Sequence, residues 1–286
     1  MLTYFVDHWW TMLATAALLA LFGAALIVRA AGRGPYPRLC ERLIWWVSCR
    51  YVRVVHNLVV VGSEHLPERA KLADPDRRPL IVIANHTAGV DPILVATQTP
   101  FVIRWMMADD MRVPWLGWFW KWQRIIFVRR EQRDGLSVRN ALAELAAGGV
   151  VGIFPEGGLE RPPQEIMPFL PGVGLLIRKS KARVLPVWID GTPQVDPAWG
   201  SLWRRSRSRV EFGEVIDYEG SGLSAADIAA DLRSRYIAWT GWPANDTPPD
   251  PASTERASVK KPSRVRTRRE PSTEVEGDAS CPDAAA

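Results

Sequence analysis

The chain has few cysteines and lacks the short motifs of several enzyme classes. Its three cysteines are Cys40, Cys49 and Cys281. They have no C-x-x-C or other metal-like spacing, which argues against a disulfide scaffold and fits a reducing compartment. G-x-S-x-G is absent, so a serine hydrolase is not favoured, and the P-loop and H-E-x-x-H motifs are absent as well.

A large excess of charge is also missing. The formal net charge of +5 and the pI near 9.3 suit an anionic surface or an anionic substrate. No RNA- or DNA-binding motif accompanies this small excess, so nucleic acid is not expected as a partner. The 14 tryptophans are more informative, because tryptophan favours places that are apolar on one side and wet on the other, membrane interfaces among them.

Residues 9–28 contain no charged side chain. A helix of that length spans roughly 30 Å at about 1.5 Å per residue, which matches the hydrocarbon core of a bilayer. Four arginines follow between residues 29 and 42. The positive-inside rule then predicts a single N-terminal pass through the cytoplasmic membrane, with the rest of the chain on the cytoplasmic side. A cleaved signal peptide and a helix lying in the membrane are the alternatives.

Two further segments indicate contact with lipid, and each has a second interpretation. Residues 36–58 mix apolar residues with arginines. They predict an amphipathic helical region that lies on the membrane or packs on the domain core. Residues 101–122 carry five tryptophans. They predict a surface that contacts lipid or lines an acyl-chain channel, with core packing as the alternative.

The middle of the chain predicts an α/β domain. Short apolar runs bounded by turn residues indicate buried strands, and helical patterns lie between them. This alternation predicts a largely parallel central sheet flanked by helices, behind an N-terminal transmembrane or interfacial helical region. The predicted strands cover residues 80–84, 125–128, 150–154, 184–189 and 209–215, and the predicted helices cover 91–98, 134–147, 172–182 and 224–239.

Three regions follow from these patterns. We expect a membrane anchor with an amphipathic helical region at 1–58, the α/β domain at 59–242 and a disordered tail at 243–286. The tail lacks Leu, Ile, Met, Phe, Tyr and Trp and contains seven prolines, so it cannot bury enough apolar surface to offset the entropy of ordering. Its basic cluster at 260–269 has two interpretations, a solvated segment or a contact with anionic lipid.

Polar motifs follow two of the predicted strands, where ligands bind in open α/β sheets. After the first strand, His86 lies in a loop and Asp91 in the first turn of a helix. There the carboxylate could accept the Nδ1 proton and leave Nε2 free as a base. After the other strand, Glu156 is followed by two glycines, which let the backbone approach a ligand closely. Taken alone, each motif also fits a purely structural role at a helix start or a turn.

Four motifs together, in this order, resemble those of the glycerolipid acyltransferase family (the bacterial 1-acylglycerol-3-phosphate acyltransferase type). They are NHxxxxD at residues 85–91, FVRRE at 127–131, FPEG at 154–157 and LPVWIDGT at 185–192. The resemblance implies a membrane-bound enzyme of phospholipid biosynthesis. Its donor is acyl-CoA or acyl-carrier protein, its acceptor is the hydroxyl of a lysolipid or glycerol phosphate, and it needs no metal and no cofactor.

The resemblance also implies roles for individual residues. His86 takes the proton of the acceptor hydroxyl, and Asp91 orients the imidazole and stabilises it once charged. The second and third motifs help to position the acceptor, and the fourth shapes the donor side of the pocket. The expected site residues are His86 and Asp91 for catalysis, Arg130, Glu156, Gly157, Gly158 and Arg161 for substrate binding, and Asn85 and Pro186 on the donor side.

The third motif departs from the family pattern. Members with phosphate-bearing acceptors commonly have FPEGTR, whereas this chain has FPEGGLER, with Gly158 and Leu159 in place of the threonine and the arginine. Arg161 could substitute if the loop bends differently, and Arg129, where an aspartate is common, could add a second cation for phosphate. An acyltransferase for a phosphate-free lipid is therefore one alternative. A catalytically silent protein that binds lipid or acyl-carrier protein is another.

Overall fold

Seven strands of the described residues form one sheet. The computed structural model describes residues 2–32, 34–67, 78–129 and 135–247. The strands are β1 (Val59–Val61), β2 (Leu80–Ala84), β3 (Ile103–Ala108), β4 (Ile126–Val128), β5 (Val150–Ile153), β6 (Arg183–Asp190) and β7 (Arg209–Phe212). Their order is β1-β7-β6-β2-β5-β3-β4, and neighbouring strands are parallel except for β6 with β7. The predicted α/β architecture with a largely parallel sheet is confirmed.

Helices flank this sheet, and those predicted between strands form within a few residues of their expected bounds. The last of them begins with a capping box: Ser224 Oγ accepts from Asp227 N (3.2 Å), and the Asp227 carboxylate accepts from Ser224 N (3.1 Å). The helices are α1 (Leu2–Ala31), α2 (Leu39–Val55), α3 (Asp91–Ala96), α4 (Gly117–Trp122), α5 (Gly135–Ala146), α6 (Pro171–Ser180) and α7 (Ala225–Thr240).

Strand β2 runs through the centre of the core and is buried along its whole length. Ile81 and Ile83 pack towards α5, α6 and α7, whereas Leu80, Val82 and Ala84 pack towards α2 and α3. Alternate side chains of a strand point to opposite faces, so both faces of this strand must be apolar. This is why the sequence shows a continuous apolar run here rather than an alternating pattern.

The tryptophan-rich segment is divided between core and surface. It forms β3 and α4, with short 3-10 turns between them. Trp105 and Trp120 are buried, whereas Trp115 and Trp118 are 76% and 62% exposed. Core packing therefore accounts for the first pair, and the second pair is exposed on the surface.

The amphipathic region forms α2, which the structure attaches to the domain by its second half. Val52 is buried, and the Tyr51 hydroxyl donates to the Leu202 carbonyl at 2.6 Å. Val47 and Val54 are exposed. The helix therefore packs on the core, as one interpretation expects, and presents apolar side chains to the outside as well.

The N-terminal apolar run forms α1, a helix of 30 residues. Among the residues that the structure describes, none of the helices combines the length and the apolar character needed to cross a membrane. The predicted single N-terminal pass is therefore not supported. That prediction was based on the uncharged run at residues 9–28. In the structure this run lies within α1, and its side chains Leu18, Leu19 and Phe22 are exposed.

The fold continues past residue 242, where the sequence predicts the tail to begin. Ile166 N donates to the Pro243 carbonyl (2.9 Å), and Asn245 N donates to the Ile166 carbonyl (3.0 Å). Arg233 donates to the Asn245 carbonyl at 2.9 Å. These bonds attach residues 243–247 to the domain, and the rest of the predicted tail, 248–286, lies outside the described residues.

The crossing of α6 and α7 gives a test of this packing. A Cβ added at Gly174 would lie 1.9 Å from the Ala225 carbonyl oxygen, whereas one at Gly172 of the same helix meets nothing within 4 Å. We expect Gly174→Ala to lower the free energy of unfolding by about 1–3 kcal/mol. Gly172→Ala is expected to leave it unchanged or to raise it by up to about 1 kcal/mol. Equal unfolding midpoints in urea for the two variants would contradict the packing described.

Candidate active site

The carboxylate of Asp91 organises the loop that follows β2. Asp91 is the first residue of α3 and is fully buried. Its Oδ2 accepts hydrogen bonds from Thr87 N at 2.7 Å and Ala88 N at 2.8 Å. Hydrogen bonds to an ionised acceptor are stronger than neutral ones, so this carboxylate holds the loop in one conformation.

The same oxygen faces the imidazole of His86. His86 Nδ1 lies 3.0 Å from Asp91 Oδ2, so the loop folds back over the helix start as the sequence predicts. Because Nδ1 faces a carboxylate, we assign the proton to Nδ1, which leaves the lone pair of Nε2 available to accept a proton. The His86 side chain is 21% exposed, so a substrate can reach it.

Two aromatic rings fix the plane of the imidazole. The rings of His86 and Phe154 are stacked, with centroids 4.0 Å apart, and Trp105 stacks on the far side of Phe154 at 4.8 Å. Stacking of this kind limits rotation of the imidazole and sets the direction of Nε2. Sequence reasoning gave neither aromatic residue this role, although Phe154 begins the FPEG motif.

Asn85 joins the end of β2 to β6. Its side-chain nitrogen donates to the Ile189 carbonyl (2.9 Å), and its side-chain oxygen accepts from Ile189 N (2.8 Å). Asn85 is fully buried. These two bonds position the residue before His86. The predicted donor-side role of Asn85 stays a prediction.

Pro186 lies inside β6, opposite Ile83 of β2. Proline has no N–H to donate to the strand ladder. The Tyr236 hydroxyl enters beside it, donating to the Ile83 carbonyl (2.7 Å) and accepting from Val187 N (2.9 Å). Pro186 is therefore part of the junction that anchors β2, and its donor-side role also stays a prediction.

The FPEG motif forms a tight turn with a buried acid. Gly157 has φ +71°, a backbone conformation that favours glycine, and a Cβ there would lie 2.6 Å from Leu170 Cδ1, so that the leucine side chain would have to shift. Glu156 is fully buried, and neither of its carboxyl oxygens has a hydrogen-bond partner among the described residues. Burial raises the pKa of Glu156 well above its usual value. The charge of Glu160 adds to the rise.

Glu160, which sequence reasoning did not select, ties the loop after β5 to His86. Glu160 N donates to the His86 carbonyl at 2.6 Å. Its carboxylate is fully buried and accepts from Gln164 N and, at 3.3 Å, from Glu165 N. Burial raises the pKa of Glu160 to about 7, although these backbone hydrogen bonds lower it. The signal in the sequence is the second glutamate of FPEGGLER.

Arg161 reaches the same loop. Its Nη1 donates to the Thr87 carbonyl at 3.1 Å, and its Nη2 lies 3.6 Å from Asp196 Oδ1. The loop thus bends so that Arg161 lies beside the residue after His86. Thr87 also contacts the fourth motif, LPVWIDGT, because its hydroxyl lies 2.6 Å from the hydroxyl of Thr192.

Two expected site residues remain. Gly158 is buried directly after Gly157 in the turn, whereas Arg130 lies outside the described residues. Within the described ranges, no group of three or more His, Cys, Asp or Glu side chains could hold a metal ion.

Comparison with known proteins shows which proteins the chain resembles. The family model described as Acyltransferase matches residues 57–190. The 1-acyl-sn-glycerol-3-phosphate acyltransferase of Bacillus subtilis (strain 168) is 25% identical over 139 residues, which cover 48% of this chain and 66% of that relative. The match thus spans just under two thirds of the relative's length.

The fold is also that of a known enzyme structure. The crystal structure of the 1-acyl-sn-glycerophosphate (LPA) acyltransferase PlsC from Thermotoga maritima matches with a TM-score of 0.52 and 18% identity, over 77% of this chain and 89% of that one. Residues 57–190 of the chain are therefore similar to acyltransferases. The likeness to the solved structure concerns the fold.

Glu160 gives a pH-dependent test of the site. Its pKa is about 7 in the folded protein and ordinarily 4.5, so the folded state favours the protonated form. The contribution of Glu160 to the free energy of unfolding is therefore fully present below about pH 4.5 and is lost as the pH rises through about 7. We expect Glu160→Gln, which keeps the acceptor oxygen but has no charge, to raise the free energy of unfolding relative to wild type at pH 8 and not at pH 5. Urea unfolding of both proteins at the two pH values measures this. A difference that is the same at both would contradict it.

Proposed function

We propose that the protein transfers a fatty acyl group from acyl-CoA or acyl-carrier protein to the hydroxyl of a lysolipid such as 1-acylglycerol-3-phosphate. The observation that carries the proposal is the contact between His86 Nδ1 and the buried Asp91 carboxylate at 3.0 Å. It supplies an oriented base at the carboxyl end of a parallel strand, where α/β folds bind substrates. The names of both relatives, each a 1-acylglycerol phosphate acyltransferase, support the acceptor.

The reaction uses His86 first as a base and then as an acid. Nε2 takes the proton of the acceptor hydroxyl while the oxygen bonds to the thioester carbonyl carbon. Asp91 stabilises the imidazolium that forms. The tetrahedral intermediate then collapses, the carbon–sulfur bond breaks, and the imidazolium returns the proton to the leaving sulfur. The products are the acylated lipid and the thiol of the donor.

Among the residues that the structure describes, Arg161 is a cation suited to bind the phosphate of the acceptor. Its guanidinium is fixed on the Thr87 carbonyl, one residue from His86, and arginine matches phosphate oxygens in charge and geometry. Arg130 is expected to assist from the second motif. The second candidate is a phosphate-free acceptor, favoured by Asp196, whose carboxylate 3.6 Å from Arg161 Nη2 competes with a phosphate.

We also place the reaction at a membrane surface, since both lysolipids and their products reside there. Exposed apolar side chains on α1 and α2 support this, among them Leu19, Phe22, Val47 and Val54. Helices with such surfaces bind the interfacial region of a bilayer. The two helices would then lie on the membrane, with the sheet on its cytoplasmic side.

Removal of the base tests the chemistry. We expect His86→Ala to lower kcat by about 10²–10⁴-fold, because general base catalysis is lost. The urea midpoint should fall only slightly, because Thr87 N and Ala88 N still donate to the Asp91 carboxylate. Thiol release from acyl-CoA with 1-acylglycerol-3-phosphate measures turnover. His65→Ala, which removes a histidine bonded to the Phe212 carbonyl, is the matched control and should retain turnover. Undiminished transfer by His86→Ala would overturn the mechanism.

Arg161→Gln separates the two candidate acceptors. Charge-assisted hydrogen bonds contribute about 1.5–3 kcal/mol, so loss of a phosphate contact should raise KM for 1-acylglycerol-3-phosphate about 10–100-fold. KM for a monoacylglycerol, which has no phosphate, should not change. Arg178→Gln on the exposed face of α6 is the control. Equal changes for both acceptors would assign Arg161 a structural role, and no change for either would remove it from the site.

A further inference from the structure

A cavity of about 260 Å³ lies beside strand β4, at the edge of the sheet. Strands β5 and β3 separate β4 from β2, which carries His86. At about 4.8 Å per strand, β4 and β2 are roughly 14 Å apart, and His86 does not line the cavity. Its lining includes four cations and two aromatic rings: Arg104, Arg112, Lys121, Arg124, Trp120 and Phe127.

The charge in this cavity is poorly balanced. One carboxylate, that of Glu144, lies 2.7 Å from Arg104 Nη1 and 3.8 Å from Arg124 Nη2. Among the described residues, neither Arg112 nor Lys121 forms an ion pair. Asp109 and Asp110 precede Arg112 in the chain but do not line the cavity. Cations gathered without matching carboxylates create a potential that favours an anionic ligand.

The cations are held in place by their neighbours. The Arg112 guanidinium lies 5.1 Å from the centre of the Phe127 ring, a cation–π contact. Arg104 Nε donates to the Arg124 carbonyl. Arg124 has φ +52°, a conformation that favours glycine.

Exposed tryptophans lie next to the cavity. Trp115 is in the 3-10 turn before α4, and Trp118 is in α4, the helix that also carries Lys121. Both rings are more than 60% exposed. At the end of the same helix, Trp122 contacts Tyr36 of the segment joining α1 to α2, with ring centroids 6.2 Å apart. Exposed indoles beside cations are the combination that binds the interface of an anionic bilayer.

We propose that this cavity binds the phosphate of an anionic phospholipid headgroup while Trp115 and Trp118 insert into the bilayer surface. The lipid bound here is a docking ligand and not a substrate. It attaches the β4 edge of the sheet to the membrane, so that the protein binds the membrane through this cavity as well as through α1 and α2. The proposal rests on the proposed function only in placing the enzyme at a membrane.

The test compares two kinds of vesicle by cosedimentation with the full chain. One is pure phosphatidylcholine, and the other contains equal parts of phosphatidylcholine and phosphatidylglycerol. We expect the double variant Arg112→Gln/Arg124→Gly to bind the anionic vesicles about tenfold or more weakly, and the phosphatidylcholine vesicles as wild type does. Glycine relieves the backbone at position 124, so an unchanged urea midpoint is also expected. Arg178→Gln/Lys179→Gln removes two exposed cations of α6 and is the matched control.

Two outcomes overturn the proposal. One is anionic-vesicle binding equal to wild type in the Arg112/Arg124 variant. The other is a raised KM for acyl-CoA with unchanged vesicle binding, which would assign the cavity to the phosphates of the donor. Vesicle binding requires no turnover, so a failure here is distinguishable from a failure of the acyl-transfer proposal.

Discussion

The buried carboxylate of Asp91 is the group on which the site depends. Its Oδ2 takes hydrogen bonds from the His86 imidazole and from the main-chain N–H groups of Thr87 and Ala88. A buried charge is stable only when it is bonded in this way. The carboxylate that fixes the conformation of the loop is thus also the one that orients the base. Loss of this carboxylate would therefore disturb the loop and the proposed chemistry together.

Distant parts of the chain hold this loop in place. Asn85 bonds to Ile189 across 104 residues, and the Tyr236 hydroxyl of α7 bonds to the carbonyl of Ile83, two residues before Asn85. On the other side, Glu160 N donates to the His86 carbonyl. Each of these groups is buried and acts on β2 or on the loop that follows it. A rigid support of this kind lets a partly exposed histidine keep one orientation.

The strands and loops that carry the site residues could be predicted from the sequence, whereas the contacts that hold those residues in place could not. Buried parallel strands appear as continuous apolar runs, so β2, β5 and β6 could be predicted, and with them the loops that carry His86 and Glu156. The stacking of Phe154 on His86 and the hydrogen bond from Glu160 N to the His86 carbonyl could not be predicted, because both depend on how two loops pack against each other. Strand β3 was missed because its tryptophan, Trp105, lies in the same sequence segment as Trp115 and Trp118, which are exposed on the surface.

The most direct test of the account is an analysis of the lipid products formed by the purified protein. Acyl-CoA and acyl-carrier protein donors are each offered with 1-acylglycerol-3-phosphate, glycerol phosphate and monoacylglycerol. We expect a diacylated glycerol phosphate from the lysolipid, with one donor thiol released for each acyl group transferred. Release of thiol with free fatty acid as the product, and no acylated lipid from any acceptor, would contradict it.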